Sequence, residues 1–256
     1  MKRLAKKTCL IGSGKGGVGK STVTVNLAIT LAAKGAKVAL FDADLYGPSL
    51  PILLGLRELS PQVNERGEVL PIPKFGVHTL SAGFFFEESR SLLWRGPMLH
   101  KMLAKMLEES AWPPLDFLFI DLPPGTGDVP LSLSKLLSLD GALLVTTPEE
   151  VAIADVRRAL DAFAHLNIPI GGIIENMASF QDPETGKLFY PFGKEKGKQL
   201  AREFHLPCLA SLPLIEGIRE GAEVGVPYAF SHAQKNPFSL LADNFLSLYT
   251  EGKGEM

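Results

Sequence analysis

Seven short apolar runs punctuate the chain, at Thr8 to Gly12, Lys37 to Asp42, Phe75 to Ala82, Asp116 to Asp121, Gly141 to Thr146, Ile170 to Asn176 and Cys208 to Pro213. Their apolar character is nearly continuous, as expected of strands buried on both faces of a parallel sheet. Between them, apolar residues recur at helical spacing, as in Val23, Leu27 and Leu31, in Ile153, Val156, Leu160 and Phe163, and in Phe238, Leu241, Phe245 and Leu248. Pro97 stands where a helix over Met98 to Glu109 would begin. Strand and helix in alternation predict an α/β fold, doubly wound, with a mainly parallel sheet flanked by helices. No polar linker or internal repeat interrupts the pattern, so residues 1–256 read as a single domain.

The residues are 46% hydrophobic and 21% charged, enough apolar material for a sizeable core and too few charges for a disordered chain. The 25 Gly and 19 Pro suit a fold with many tight turns, where function tends to reside. A net charge of -2 argues against a broad electrostatic footprint for nucleic acid or anionic lipid. No stretch is apolar for long enough to span a bilayer. The basic start, Met1 to Lys7, is followed by too short an apolar run for a signal peptide, and the only cysteines, Cys9 and Cys208, lie inside apolar strands. A cytoplasmic protein is the expectation.

In doubly wound sheets, ligands bind outside the carboxyl ends of the strands. The first strand is followed by Gly14-Lys15-Gly16-Gly17-Val18-Gly19-Lys20-Ser21 and then Thr22. The glycines let the backbone fold its N–H groups around phosphates, Lys20 is placed to reach the β- and γ-oxygens, and Ser21 offers a hydroxyl to magnesium. The helix that follows adds the positive end of its dipole. Gly14 to Thr22 is therefore the candidate ATP-binding loop, with ATP and Mg2+ as the expected cofactors.

Two later strands end in acids, Phe41-Asp42-Ala43-Asp44 and Phe119-Ile120-Asp121-Leu122-Pro123-Pro124-Gly125. Asp121 has the setting of a carboxylate that holds the magnesium shell, directly or through water, with Pro124 and Gly125 forming a loop beside the γ-phosphate. Asp44 is placed to orient or deprotonate the attacking water. Ser21, Asp44 and Asp121 are thus the candidate metal residues, and Lys20 and Asp44 candidate catalytic ones. Asp42 has two open readings, as a cap or ion-pair partner and as a metal ligand, and Asp128, ahead of Val129-Pro130, reads as a helix N-cap.

An ordinary phosphate loop does not require a cation directly after its first glycine. Lys15 to Thr22 resembles the deviant Walker A motif of the MinD, ParA, nitrogenase-iron-protein and Mrp/Nbp35 ATPases. That resemblance implies that Lys15 is catalytic in trans, reaching ATP held by the second subunit of a nucleotide-sandwich homodimer, a role like that of an arginine finger. Asp44-Leu45-Tyr46-Gly47-Pro48-Ser49 and Asp121-Leu122-Pro123-Pro124-Gly125-Thr126-Gly127-Asp128 are most similar to the Mrp/Nbp35 iron–sulfur cluster carriers, and the likeness covers nearly the whole chain. It implies slow hydrolysis of ATP to ADP and phosphate, with iron–sulfur apoproteins or assembly factors as partners. It also implies adenine contacts from Asn176, in Glu175-Asn176-Met177, and from Pro213, with Glu223 to Pro227 lining the base pocket.

The chain departs from that family at one place. The carriers usually set Cys-x-x-Cys a few residues after the Asn-Met, and two subunits pool these thiols around one iron–sulfur cluster. Here Asp182-Pro183-Glu184-Thr185-Gly186 fills the segment, with Asp182 and Thr185 at the thiol positions. Hard oxygen ligands do not suit such a cluster. A structural hairpin is expected instead, its arms packed by Phe180, Phe189, Tyr190 and Phe192, and Tyr190-Pro191-Phe192-Gly193 resembles the plastid-type branch of the family. Cys9 and Cys208 read as buried, inert thiols, so ligands for a cluster are not found. The alternative function is an ATP-dependent positioning or partition switch of the MinD/ParA kind. Its membrane form needs a basic amphipathic last helix, whereas this one runs out in Thr250 to Met256 without a cationic face; membrane and nucleic acid are not expected partners.

Overall fold

A computed structural model of the chain describes residues 1–85 and 96–250; the tail after Thr250, part of the C-terminal reading above, lies outside the described residues. In chain order the elements are β1 (Lys7–Ser13), α1 (Lys20–Ala33), β2 (Val38–Asp42), α2 (Leu50–Leu53), β3 (Ile72–Lys74), β4 (Val77–Ser81), α3 (Gly96–Glu108), β5 (Phe117–Asp121), α4 (Asp128–Leu136), β6 (Gly141–Thr146), α5 (Glu150–His165), β7 (Ile170–Glu175), β8 (Phe180–Gln181), β9 (Leu188–Phe189), α6 (Lys196–Glu203), β10 (Cys208–Ser211), α7 (Glu216–Val224), α8 (Tyr228–Ser231) and α9 (Phe238–Thr250). Eight strands form one sheet in the order β10-β7-β6-β1-β5-β2-β4-β3, parallel except for β3. This is the α/β architecture that the alternation of apolar runs predicts.

The central strands explain why their sequences are apolar throughout. All five residues of β5, Phe-Leu-Phe-Ile-Asp, are buried. Leu118 and Ile120 point into a layer with Leu103 of α3, Leu133 of α4 and Phe163 of α5. Phe119 points the other way, among Leu27 and Leu31 of α1 and Phe245 of α9. A strand with helices on both faces has no solvent side, so period-two alternation disappears.

Register then fixes chemistry. Ile11 of β1 and Asp42 of β2 are both level with Asp121 of β5. The phosphate loop after β1 and the acids of β5 and β2 therefore meet at one carboxyl edge.

Three local expectations change. The run from Phe75 to Ala82 is shorter as a strand, because Phe75 (φ 51) and Gly76 (φ 81) form a two-residue turn joining β3 to β4. Both central residues of that turn have positive φ, the usual demand of a tight hairpin, but a Phe in the first place hides the signal. Asp128 is the first residue of α4 and makes no side-chain cap; Gly127 stands at the cap position. The 180–189 hairpin exists, Phe180 pairing with Phe189, yet its arms are open. Leu188, Phe189 and Tyr190 are each 41–50% exposed, and Lys187 and Lys194 lie over the rings of Phe189 and Tyr190.

Candidate functional site

The loop that follows β1 turns into α1 through Gly19, at φ 80 in the left-handed region that L side chains avoid. A Cβ there would lie 2.4 Å from Asn176 Nδ2, and one on Gly14 would lie 2.3 Å from the backbone of Asp155. These two glycines are demanded by packing as well as by curvature. The loop and the start of α1 line a cleft of about 440 Å³, together with Asp44, Ser49, Leu53, Pro124 and Met177. Backbone N–H groups and the positive helix end make this a place for phosphates.

Below the loop, four side chains converge. Lys20, only 7% exposed, places Nζ 2.8 Å from Asp121 Oδ2 and 3.1 Å from Ser21 Oγ. Ser21 donates its hydroxyl to the same carboxylate oxygen at 2.6 Å, and Thr24 Oγ1 lies 2.8 Å from Asp121 Oδ1. Asp121 is fully buried, and a polar group so far from water is costly unless such partners satisfy it. Thr24 is absent from the residues chosen by motif. Its trace in the sequence is a polar residue one turn after Ser21 on a helix face that is otherwise apolar.

Asp42 settles as a structural acceptor. Its carboxylate takes N–H bonds from Asp44 (3.2 Å) and Leu50 (3.1 Å) and a hydroxyl bond from Ser81 (3.0 Å). It thereby ties the start of α2 to the end of β2, the cap-like reading of the two that sequence left open. Burial and, next, the charge of Asp121 beside it push its pKa up to about 7. Asp44 is half-buried on the cleft wall, its Oδ1 accepting from Tyr46 N (3.2 Å) and Gly47 N (3.0 Å). That turn fixes the Asp44 side chain on the wall of the cleft.

Lys15 lines the cleft too, but its Nζ rests 2.6 Å from Glu149 Oε2, at the N-terminus of α5. Asn176 is buried under the loop and donates Nδ2 to the Val18 carbonyl at 2.9 Å. Its amide braces the phosphate loop across the sheet edge. Pro213 lies between Leu212 and Leu214, whose amides donate to Glu175 O and Ser179 O at 2.7 Å, and it is not among the residues lining the cleft. A larger cleft, about 620 Å³, runs beside β3, but its lining is mostly apolar and carries one titratable group, His78, whose pKa burial lowers. Nothing there would hold a triphosphate.

Magnesium fits the first cleft in one form. Among the described residues no three His, Cys, Asp or Glu side chains gather into a metal site, whereas the Ser21 hydroxyl and an Asp121 oxygen lie side by side. Mg2+ is commonly held by one or two such groups together with phosphate oxygens and water. An iron–sulfur cluster does not fit. Cys9 is buried against the Tyr249 hydroxyl at 2.9 Å, and burial pushes its thiol up to about 12; Cys208, expected to be buried as well, is only half-buried at the start of β10, though that burial still raises its thiol. In the sheet order β10 and β1 are separated by β7 and β6, so the two cysteines' strands stand about 14 Å apart at the usual strand spacing. In the hairpin, Asp182 Oδ1 is occupied by Glu184 N and Thr185 N at 2.9 and 2.8 Å, as in an Asx turn.

A phosphate loop at the first strand of a parallel sheet, with a lysine, a hydroxyl and a strand-end carboxylate meeting beneath it, marks a nucleotide-binding site of the P-loop NTPase class. The chain matches the family described as "ParA: NUBPL iron-transfer P-loop NTPase" over residues 4–247, and it belongs to that family. It is 46% identical over 244 residues to the iron–sulfur cluster carrier protein of Aquifex aeolicus, covering 95% of this chain and 66% of that protein. To the Arabidopsis thaliana mitochondrial iron–sulfur protein required for NADH dehydrogenase it is 43% identical, covering 88% and 72%. The chain thus spans about two thirds of these relatives' length. Among solved structures, the nucleotide-binding protein of Archaeoglobus fulgidus in complex with ADP superposes with a TM-score of 0.79 at 33% identity over 91% of each chain. The cell division ATPase MinD of Pyrococcus furiosus, at 24% identity and a TM-score of 0.68 over 95% of this chain and 99% of its own, shares the fold.

Proposed function

We propose that this chain is a magnesium-dependent ATPase that acts as an ATP-sandwich homodimer in iron–sulfur protein assembly, without carrying a cluster on its own thiols. One observation carries the reading: Lys20, Ser21, Thr24 and Asp121 converge beneath the phosphate loop while Asp44 and Lys15 stand on the walls of the same cleft.

In the free chain Lys20 is held by Asp121, so the loop's principal cation is pre-placed rather than searching. Bound triphosphate offers Lys20 a stronger set of anions, and the Asp121 oxygen it leaves, together with Ser21, would hold the magnesium shell. Magnesium there would neutralise charge on the β- and γ-phosphate oxygens. Asp44, fixed by the turn at Tyr46 and Gly47, orients water in line with the γ-phosphorus and takes its proton as the new P–O bond forms. The bond to the bridging oxygen breaks and ADP leaves with its electron pair. Lys15 of a second copy offsets the charge that spreads over the transferring oxygens. The partners of the cycle are a second copy and apoproteins or assembly factors of iron–sulfur metabolism, the cluster being their ligand or a cargo passed between them.

The test pairs two lysines in a Mg-ATPase assay with calorimetric ATP binding. Lys20→Ala abolishes binding. Lys15→Ala keeps binding but loses turnover and ATP-stabilised dimers. Equal loss of binding in both variants refutes the trans role.

A further inference from the structure

In the single chain the ammonium of Lys15 is already occupied. It sits 2.6 Å from Glu149 Oε2, with the two side chains 31% and 33% exposed. Both ends of this bridge are anchored. Glu149 is the cap residue of α5, its carbonyl accepting from Ile153 N at 3.0 Å. Pro148 before it is packed against the 190–193 turn, where a Cβ on Gly193 would come within 2.7 Å of the Pro148 carbonyl. Next along the helix, Glu150 is paired with Lys196 and so is not competing for Lys15. At the other end the Lys15 carbonyl accepts from Ser13 Oγ at 3.0 Å. Two long side chains meeting from fixed backbones lose less freedom than the usual surface pair, whose contribution is small for that reason.

We propose that Glu149 is a positioning residue: it stores Lys15 on its own subunit and releases it only when a second copy presents bound ATP. The proposal rests on the homodimer reading above. A lysine extended toward a partner's phosphates leaves the N-terminus of α5 behind, so pairing is an exchange of one anion for another. Triphosphate carries several negative charges against the single charge of Glu149, and the exchange runs forward. An empty or weakly charged partner cleft offers nothing better than Glu149, and Lys15 stays. Nucleotide state is thus read by the partner's lysine before any chemistry occurs, and nucleotide-free copies are kept apart.

The experiment measures the dimer constant by sedimentation with a non-hydrolysable ATP analogue and Mg2+, and ATP turnover across a protein-concentration series. Freeing Lys15 with Glu149→Gln strengthens pairing about tenfold, roughly threefold for each of the two bridges broken per dimer. Turnover at low protein concentration rises in step, while the rate at saturating protein concentration stays at the wild-type value. In a Lys15→Ala background, which has lost its ATP-stabilised dimers, the same substitution recovers none of them, whereas a merely structural effect on α5 would favour pairing with or without the lysine. Glu150→Gln, at the same helix end but facing Lys196, keeps wild-type values. Unchanged pairing in Glu149→Gln, or the same change in both backgrounds, overturns the storage role. Wild-type pairing and turnover in Lys15→Ala would instead overturn the trans role of Lys15, and a wild-type chain that stays monomeric with the analogue and Mg2+ would overturn the homodimer reading itself.

Discussion

Asn176→Ala separates a brace from a base contact, and the structure sets the size of the effect. The amide donates to the Val18 carbonyl at 2.9 Å from a position 8% exposed. Removing it leaves that carbonyl without this donor, a loss of about 1–3 kcal/mol. Gly19→Ala attacks the same contact from the other side. It forces Ala into the left-handed region at φ 80, worth about 1–2 kcal/mol, and its Cβ would stand 2.4 Å from Asn176 Nδ2. Displacing the amide adds about 1–3 kcal/mol again. In the double variant the collision no longer exists, so Gly19→Ala adds only its backbone cost to that of the lost Asn176 bond. The pair should therefore be less destabilising together than summed, by about 1–3 kcal/mol. Urea unfolding of the nucleotide-free protein, with the m-value held constant, reads this directly, alongside ATP and GTP affinities. Additive costs, or an Asn176→Ala chain of full stability whose ATP affinity falls while its GTP affinity does not, would refute the brace.

Two more predictions concern protonation and thiols. Because folded Asp42 keeps its proton up to about pH 7 while an unfolded aspartate loses it near pH 3.9, wild-type stability without Mg2+ falls across that window by up to about 1.4 kcal/mol per pH unit. Asp42→Asn removes this part of the slope in urea titrations at pH 4.5 and 7.5, and an unaltered slope would mean that the folded carboxyl is ionised throughout. Under native conditions Cys9 resists alkylation far longer than Cys208, since it is 1% exposed and its thiol is raised to about 12, and anaerobic reconstitution yields no visible cluster absorption; a stable chromophore on the isolated chain would falsify the thiol-free reading.

Much of this protein is decided by contiguous residues. A phosphate loop is a local device: its glycines must adopt backbone angles other residues resist, and its lysine and hydroxyl follow at fixed spacing, so Gly14 to Ser21 can be read without a fold. Runs such as Phe117 to Asp121 likewise announce a strand covered on both faces, and hence a sheet with helices on either side. What sequence could not decide is which strand ends lie beside one another. Asn176 and Val18 are separated by 158 positions, and Glu149 and Lys15 by 134, yet sheet order and register bring each pair into contact. The same ordering places Thr24 on Asp121 and turns Asp42 from an open candidate into the acceptor that ties α2 to β2. Motif spacing determined which groups can bind phosphate; the packing of the sheet determined which partners hold those groups while they wait, because a side chain's charge and reach are local properties and its neighbours are not.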